Sequence, residues 1–239
     1  MSKTKVSAFV VAAGVAASAT LAADIEAFRI DANNGASTGS FVVMFDQGEW
    51  EGNRWTYTID QTVDIGGVGT LQSATIIIGN LGRSGGQTVS LNFNVAAGAL
   101  NTVFSVSSGL ANAAFPTAMG RASAAVSVTD TTGNGATLSP DGASIYSAYY
   151  NGLQGSLFAG LLGGPVVAGA FSTATASAES PNGGGYSAIF GALNDISADW
   201  TFAVSSFDIA SGTSVFTVIP APSSLALLGL AGLAARRRR

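Results

Sequence analysis

The stretch Gln87–Gly98 reads QTVSLNFNVAAG. Val89, Leu91, Phe93 and Val95 fall on one side of an extended chain, and Ser90, Asn92 and Asn94 fall on the other. Strict alternation of this kind marks a strand half-buried in an antiparallel sheet, with one apolar face and one wet Ser/Asn face. A helix of the same residues would scatter both sets around its axis.

The same period recurs on either side. Phe41, Val43 and Phe45 alternate with Val42, Met44 and Asp46, and Trp55, Tyr57 and Ile59 with Thr56, Thr58 and Asp60. Val126 and Val128 repeat the pattern, as do Trp200, Phe202 and Val204. The unbroken run Ala74–Ile78 reads as a strand buried on both faces. Turn-forming clusters such as ANNGAS, DQGEWEGN, GNLGRSGGQ, DTTGNGATLSPDGAS, GGP and SPNGGG separate the runs. The best helix candidates are ANAAFPTAMGRA (111–122), broken by Pro116, and SAIFGALNDISADW (187–200). The small-residue stretch 166–185 is either loose chain or a flat sheet edge. Residues 23–218 are thus expected to form an all-β body, an antiparallel β-sandwich of jelly-roll-like kind with about 10–14 strands.

The N-terminus has another character. Lys3 and Lys5 precede an apolar stretch from Val6 to Ala17, followed by small residues. These are the three parts of a secretory signal peptide, and the apolar stretch is short for a membrane span. Cleavage is expected after Ala22, because the first charged residue and the first strand-like alternation begin just beyond it. Residues 1–22 are therefore set apart from the fold.

Charge is unevenly placed. All 14 acidic residues lie between Asp24 and Asp208, where the basic ones are Arg29, Arg54, Arg83 and Arg121 alone, and there is no Lys. The body would carry a net charge of −10 and repel nucleic acid and anionic surfaces. The chain has no Cys and no His. That removes disulfides, thiolate chemistry, the commonest general base and the commonest transition-metal ligand. A Ser–Lys dyad is excluded in the cleaved body, no Gly-rich stretch carries the phosphate-loop lysine, and no N-x-[ST] sequon is present. A non-enzymatic protein is the expectation.

The stretch FDQGEWEGNRWTY (45–57) holds the most chemistry. Exposed indole rings stack on sugar rings while carboxylates accept hydroxyl hydrogen bonds, so Trp50, Trp55 and Glu49 are candidate glycan contacts. The plainer alternative is a hairpin with Trp55 in the core and the glutamates in water. Acid pairs drawn from Glu26, Glu49, Glu51, Glu179 and the aspartates also allow an acid/base glycoside hydrolase, a pairing that any acidic domain offers. Asp130, Asn134 and Asp141 are candidate ligands for a structural Ca²⁺, the one cofactor considered, although their spacing departs from the EF-hand pattern and fits Gly/Asn turns equally.

The chain closes on IPAPSSLALLGLAGLAARRRR (219–239). Pro220 and Pro222 block backward extension of a helix, and Leu225–Ala235 is an apolar run too short to span a bilayer with ease. Arg236, Arg237, Arg238 and Arg239 stop export and keep this end cytoplasmic. A proline motif, a short Leu/Ala/Gly helix and a terminal arginine cluster, in that order, resemble the PEP-CTERM sorting signal. In that family the motif is Pro-Glu-Pro, and here it is Pro220-Ala221-Pro222, similar to a Pro-Ala-Pro variant. The resemblance covers about 20 residues of tail and implies an exosortase-type processing enzyme as partner, transient insertion in the inner membrane of a Gram-negative-type bacterium, and then a cell-surface or extracellular location. It further implies a structural role in matrix, exopolysaccharide or biofilm. A carbohydrate-binding module is the alternative reading of the body.

Overall fold

A computed structural model of the chain describes residues 25–80 and 85–221. The expected signal peptide with its cleavage site at Ala22, Pro222, the apolar run and Arg236–Arg239 all lie outside the described residues.

Two antiparallel sheets account for the fold. With strands numbered in chain order, the first sheet runs β13 (Ser156–Leu161), β12 (Tyr146–Tyr150), β17 (Leu193–Val204), β8 (Thr102–Ser108), β1 (Glu26–Asn33), β2 (Thr38–Met44). Short strands β9 (Ala111–Phe115), β11 (Ala136–Pro140) and β14 (Val166–Ala168) attach to it. The second sheet runs β15 (Thr173–Ser180), β10 (Ala118–Thr129), β18 (Ile209–Pro220), β7 (Gln87–Ala97), β6 (Gly69–Asn80), β4 (Arg54–Ile59), β3 (Glu49–Glu51). Strands β16 (Ser187–Ile189) and β5 (Val63–Ile65) flank it. The all-β expectation holds, but with 18 strands among the described residues rather than 10–14, since several turns contain three-residue strands of their own.

Alternation places the core between the sheets. Val89, Leu91, Phe93 and Val95 of β7 are all buried, and Ser90, Asn92 and Asn94 face outward. Across the interface Phe93 stacks on Phe202 at 5.8 Å and meets Trp200 edge-on at 5.2 Å. Phe158 stacks on Phe216 at 5.1 Å. Each such pair adds about 0.5–1.5 kcal/mol beyond the burial of its area. Gly212 of β18 lies opposite Phe93, and a Cβ there would stand 2.4 Å from the ring. The bulk of Phe93 and the absence of a side chain at Gly212 are thus one packing unit.

The outer face of the second sheet is built from hydroxyls. Thr175, Ser127, Ser211, Asn94 and Ser73 form one row across five strands. Ser127 and Ser211 hydrogen-bond at 2.7 Å, and Thr129 and Thr173 at 2.8 Å. Ile77 sits half-buried on this same face, so Ala74–Ile78 is covered on one side, not on both.

Both helix candidates are strands. Residues 111–122 form β9 and the start of β10, with Ala111 and Ala113 buried and Asn112 and Ala114 exposed. Residues 187–200 form β16 and the start of β17. A register shift between Leu193 and Asp195 puts Leu193 and Ile196 both in the core, a three-residue spacing that imitates a helix. The small-residue stretch 166–185 carries β14 and then β15, which is the edge strand of the second sheet.

Register brings the start of β1, the end of β8 and the start of β17 to one rim of the molecule, together with the start of β10 and the end of β18. Pro220 pairs with Ala118, and the Ala221 amide donates to the Thr117 carbonyl at 3.1 Å. The last strand therefore runs two residues past the expected end of the body, into the proline motif. We call this the exit rim.

Candidate functional site

The β3–β4 hairpin lies on the exit rim, and its register sets Trp50 opposite Trp55. Their fates differ. Trp55 is 0% exposed, while Trp50, one strand nearer the edge, is 57% exposed. A single 3-10 turn, Phe45–Gln47, folds over Trp55, whose Nε1 donates to the Phe45 carbonyl at 2.9 Å. The Phe45 ring sits between the two indoles, stacked at 6.2 Å on Trp50 and edge-on at 5.1 Å to Trp55. Gly48 permits this closure, because a Cβ there would fall 2.2 Å from the Trp55 ring. Trp55 is thus removed from the glycan candidates: its polar edge is satisfied and its faces are packed. Glu49 pairs with Thr56 and projects from the opposite side of the strand to Trp50. The three predicted contacts are not brought together.

Trp50 instead borders a groove of about 420 Å³ between the two sheets. Ile25, Phe45, Ile78 and Leu110 make it apolar, and Asn53, Gln87 and Asn112 supply amide groups at its wall. No carboxylate is among its lining residues. An indole beside three amides can stack an apolar ring face and hydrogen-bond hydroxyls around it. Asn53, Gln87 and Asn112 come from segments far apart in sequence, so no local motif marks them.

The calcium candidates separate in the same way. Asp130 is buried, and its carboxylate is occupied by its own loops. Oδ2 accepts the amides of Gly133 at 2.9 Å and Phe171 at 2.6 Å, and Oδ1 that of Thr132 at 3.3 Å. Burial pushes this carboxyl up, but the amides of Phe171, Thr132, Gly135 and Gly133 outweigh it and hold it below the usual carboxylate range. Asn134 turns its amide onto Asp130 and the Gly135 carbonyl. Asp141 lies beyond the five residues of β11, roughly 16 Å further along the chain. The three do not form one ligand set, and among the described residues no three acidic side chains cluster as a metal would need.

This loop end, opposite the exit rim, carries its own strain. Phe171 and Phe207 have φ of 49° and 61°, in the left-handed region that disfavours large side chains. Asp130 holds the first through its amide. Thr131 holds the second by donating its hydroxyl to the Phe207 carbonyl at 2.5 Å, and its own amide donates to Asp208 at 3.3 Å.

One further acid stands apart. Asp199 faces outward on β17, paired in register with Ser147 and Ser107. Burial pushes its carboxyl up to about 6, against the opposing amide of Trp200 and side chain of Gln154. Its Oδ1 is buried without a hydrogen-bond partner.

No protein-family model matches the chain, and no curated protein matches it. Among solved structures, the chain is similar to one from "Structure of infectious bursal disease virus Gt strain", at 11% identity, over 85% of this chain and 67% of that one. The TM-score of 0.17 is too low to carry an argument about fold or function.

Proposed function

We propose that this is an exported, non-enzymatic structural protein of the cell surface or extracellular matrix, a jelly-roll-like sandwich delivered by a signal peptide and processed at its C-terminal sorting signal. The observation that carries the reading is how β18 meets the proline motif. Strand β18 is paired through Pro220, and Ala221 makes the last described hydrogen bond. The strand and its closing hydrogen bond take in the first two residues of the Pro220-Ala221-Pro222 motif, and Leu225–Arg239 follow beyond them in sequence, so loss of Leu225–Arg239 leaves every described strand whole. An exosortase-type enzyme would act on Pro220-Ala221-Pro222 and the residues after it, while the arginines hold the chain in the inner membrane. Exopolysaccharide is the proposed environment of the released body. Mass spectrometry of the extracellular protein tests this: the mature chain is expected to lack Leu225–Arg239, and intact arginines on secreted protein would refute processing.

The groove beside Trp50 favours a second reading, a carbohydrate-binding module. Its stacking residue is Trp50 alone, with Asn53, Gln87 and Asn112 in place of a carboxylate. On a glycan array, Trp50→Ala is expected to abolish any binding by the body, with the thermal midpoint lowered only slightly, by loss of the stack on Phe45. Binding that survives the substitution would remove the groove from consideration. The hydrolase reading has no support at this groove, which lacks an acid pair.

A further inference from the structure

We infer that the exit rim is a bilayer-docking surface: while the tail is in the membrane, the sandwich rests on the lipid interface through Ile25, Trp50, Leu153 and Phe190. The inference rests on the sorting-signal reading of the tail and goes beyond it, because a membrane tail does not by itself require the folded body to touch lipid.

The length of the connection argues for contact. Only Pro222, Ser223 and Ser224 separate Ala221 from Leu225, the first residue of the apolar run. Four steps of fully extended chain reach about 14 Å. The headgroup zone on one side of a bilayer takes roughly 6 Å of that. Ala221 is tied to Thr117, and each residue peeled from β18 would add only about 3.3 Å of reach while giving up pairing in the sheet. The exit rim is therefore confined to the membrane surface.

The chemistry of the rim fits such a surface. Phe190 follows Ile189, which pairs with the same Ala118 that pairs with Pro220, and it is 87% exposed. It lies about two strand spacings, roughly 10 Å, from the exit point. Trp50 sits four strand spacings away on the other side, roughly 19 Å, and the residue is more than half exposed. Ile25 and Leu153 are also exposed here. Four large apolar side chains around one rim, two of them aromatic, match the preference of aromatic rings for the membrane–water boundary. Arg54, exposed at the tip of the same hairpin as Trp50, faces the exposed Glu51 across the strand pair, so apolar side chains and not charge carry the contact.

The opposite rim is an internal control. Phe171 and Phe207 are exposed there too. Strands of 12 residues such as β10 and β18 set the two rims roughly 40 Å apart, so these rings are out of reach of the bilayer that holds the tail.

The protein carries its own probe. Of the three tryptophans, Trp55 and Trp200 are 0% exposed, so quenching from outside reports Trp50. The chain is expressed with export in a host without an exosortase, purified from the membrane fraction and reconstituted into phosphatidylethanolamine–phosphatidylglycerol vesicles with bromine near the top of the acyl chains. Vesicle flotation is scored first. We expect the floated protein to lose the part of its emission that Trp50→Phe also removes, with aqueous acrylamide no longer reaching it. Phe190→Ser should weaken the lipid quenching and Phe171→Ser should not. A chain absent from the membrane fraction, or failing to float, overturns the tail reading and the docked rim with it. A chain that floats while Trp50 is quenched by acrylamide and untouched by bromolipid overturns the docked rim alone.

Discussion

Asp199 shows how one side chain sets a pH response. The folded protein keeps its proton up to about pH 6, whereas a carboxyl in an unfolded chain releases it near pH 4. Between those values the folded state binds more protons than the unfolded state, so stability falls as pH rises through the window. Above it the full cost of the buried charge is present, on the order of 3 kcal/mol. Asp199→Asn removes that cost. We expect the urea midpoint of the variant to exceed that of the parent at pH 7, and the difference to vanish below pH 4. An equal difference at both values would place the effect in packing and not in charge. The same lesson applies to Trp50 and Trp55, two indoles five positions apart. One is sealed by Phe45, Gly48 and a carbonyl, and the other is left in water at the edge of the same hairpin.

At the scale of elements, β7 and β18 depend on each other. Gly212 is where Phe93 needs room, so Gly212→Ala pushes a methyl into a ring that Phe202 and Trp200 hold from the other sheet. Overpacking of this kind costs about 1–3 kcal/mol, read as a lower denaturant midpoint. A variant as stable as the parent would show that the two sheets can slide apart locally. The strands themselves were legible in the sequence because a half-buried antiparallel strand writes its period into alternate residues, as β7 does. What was not legible follows from physical causes of two kinds. Bulges break the period without breaking the strand, which is why 187–200 looked helical. Turn residues also hide short strands: β11 lies inside DTTGNGATLSPDGAS and carries Asp141 away from Asp130. The groove could not be read at all: Ile25, Trp50, Gln87 and Asn112 meet only once two sheets are stacked.

For the whole molecule, the body holds no histidine, no cysteine and a large excess of acid. Its few described arginines are partly spent on near neighbours: Arg29 on Asp31 at 2.7 Å and Arg121 on Glu179 at 2.7 Å, both at the surface. The remaining carboxylates repel one another across a small sandwich. Screening should relieve this, so we expect the melting temperature of the body at neutral pH to rise between about 0.01 M and 0.15 M salt, over which the Debye length shrinks from roughly 30 Å to 8 Å. A melting temperature that falls over this range would mean that attractive pairs outweigh the net repulsion.

The hydroxyl-covered face of the second sheet gives that charge a direction. From β15 to β6 its charged side chains are Arg121 and Glu179, already joined to each other. The other rows are Ser, Thr, Asn, Ala and a few aliphatic residues. Seen by a neighbouring molecule, the protein is a patchy colloid: repulsive around its rims and nearly neutral over one broad plane. Crowded into a layer, such particles would lower their mutual repulsion by turning these planes toward one another, so a dense array could be ordered by where charge is missing and not by any adhesive contact.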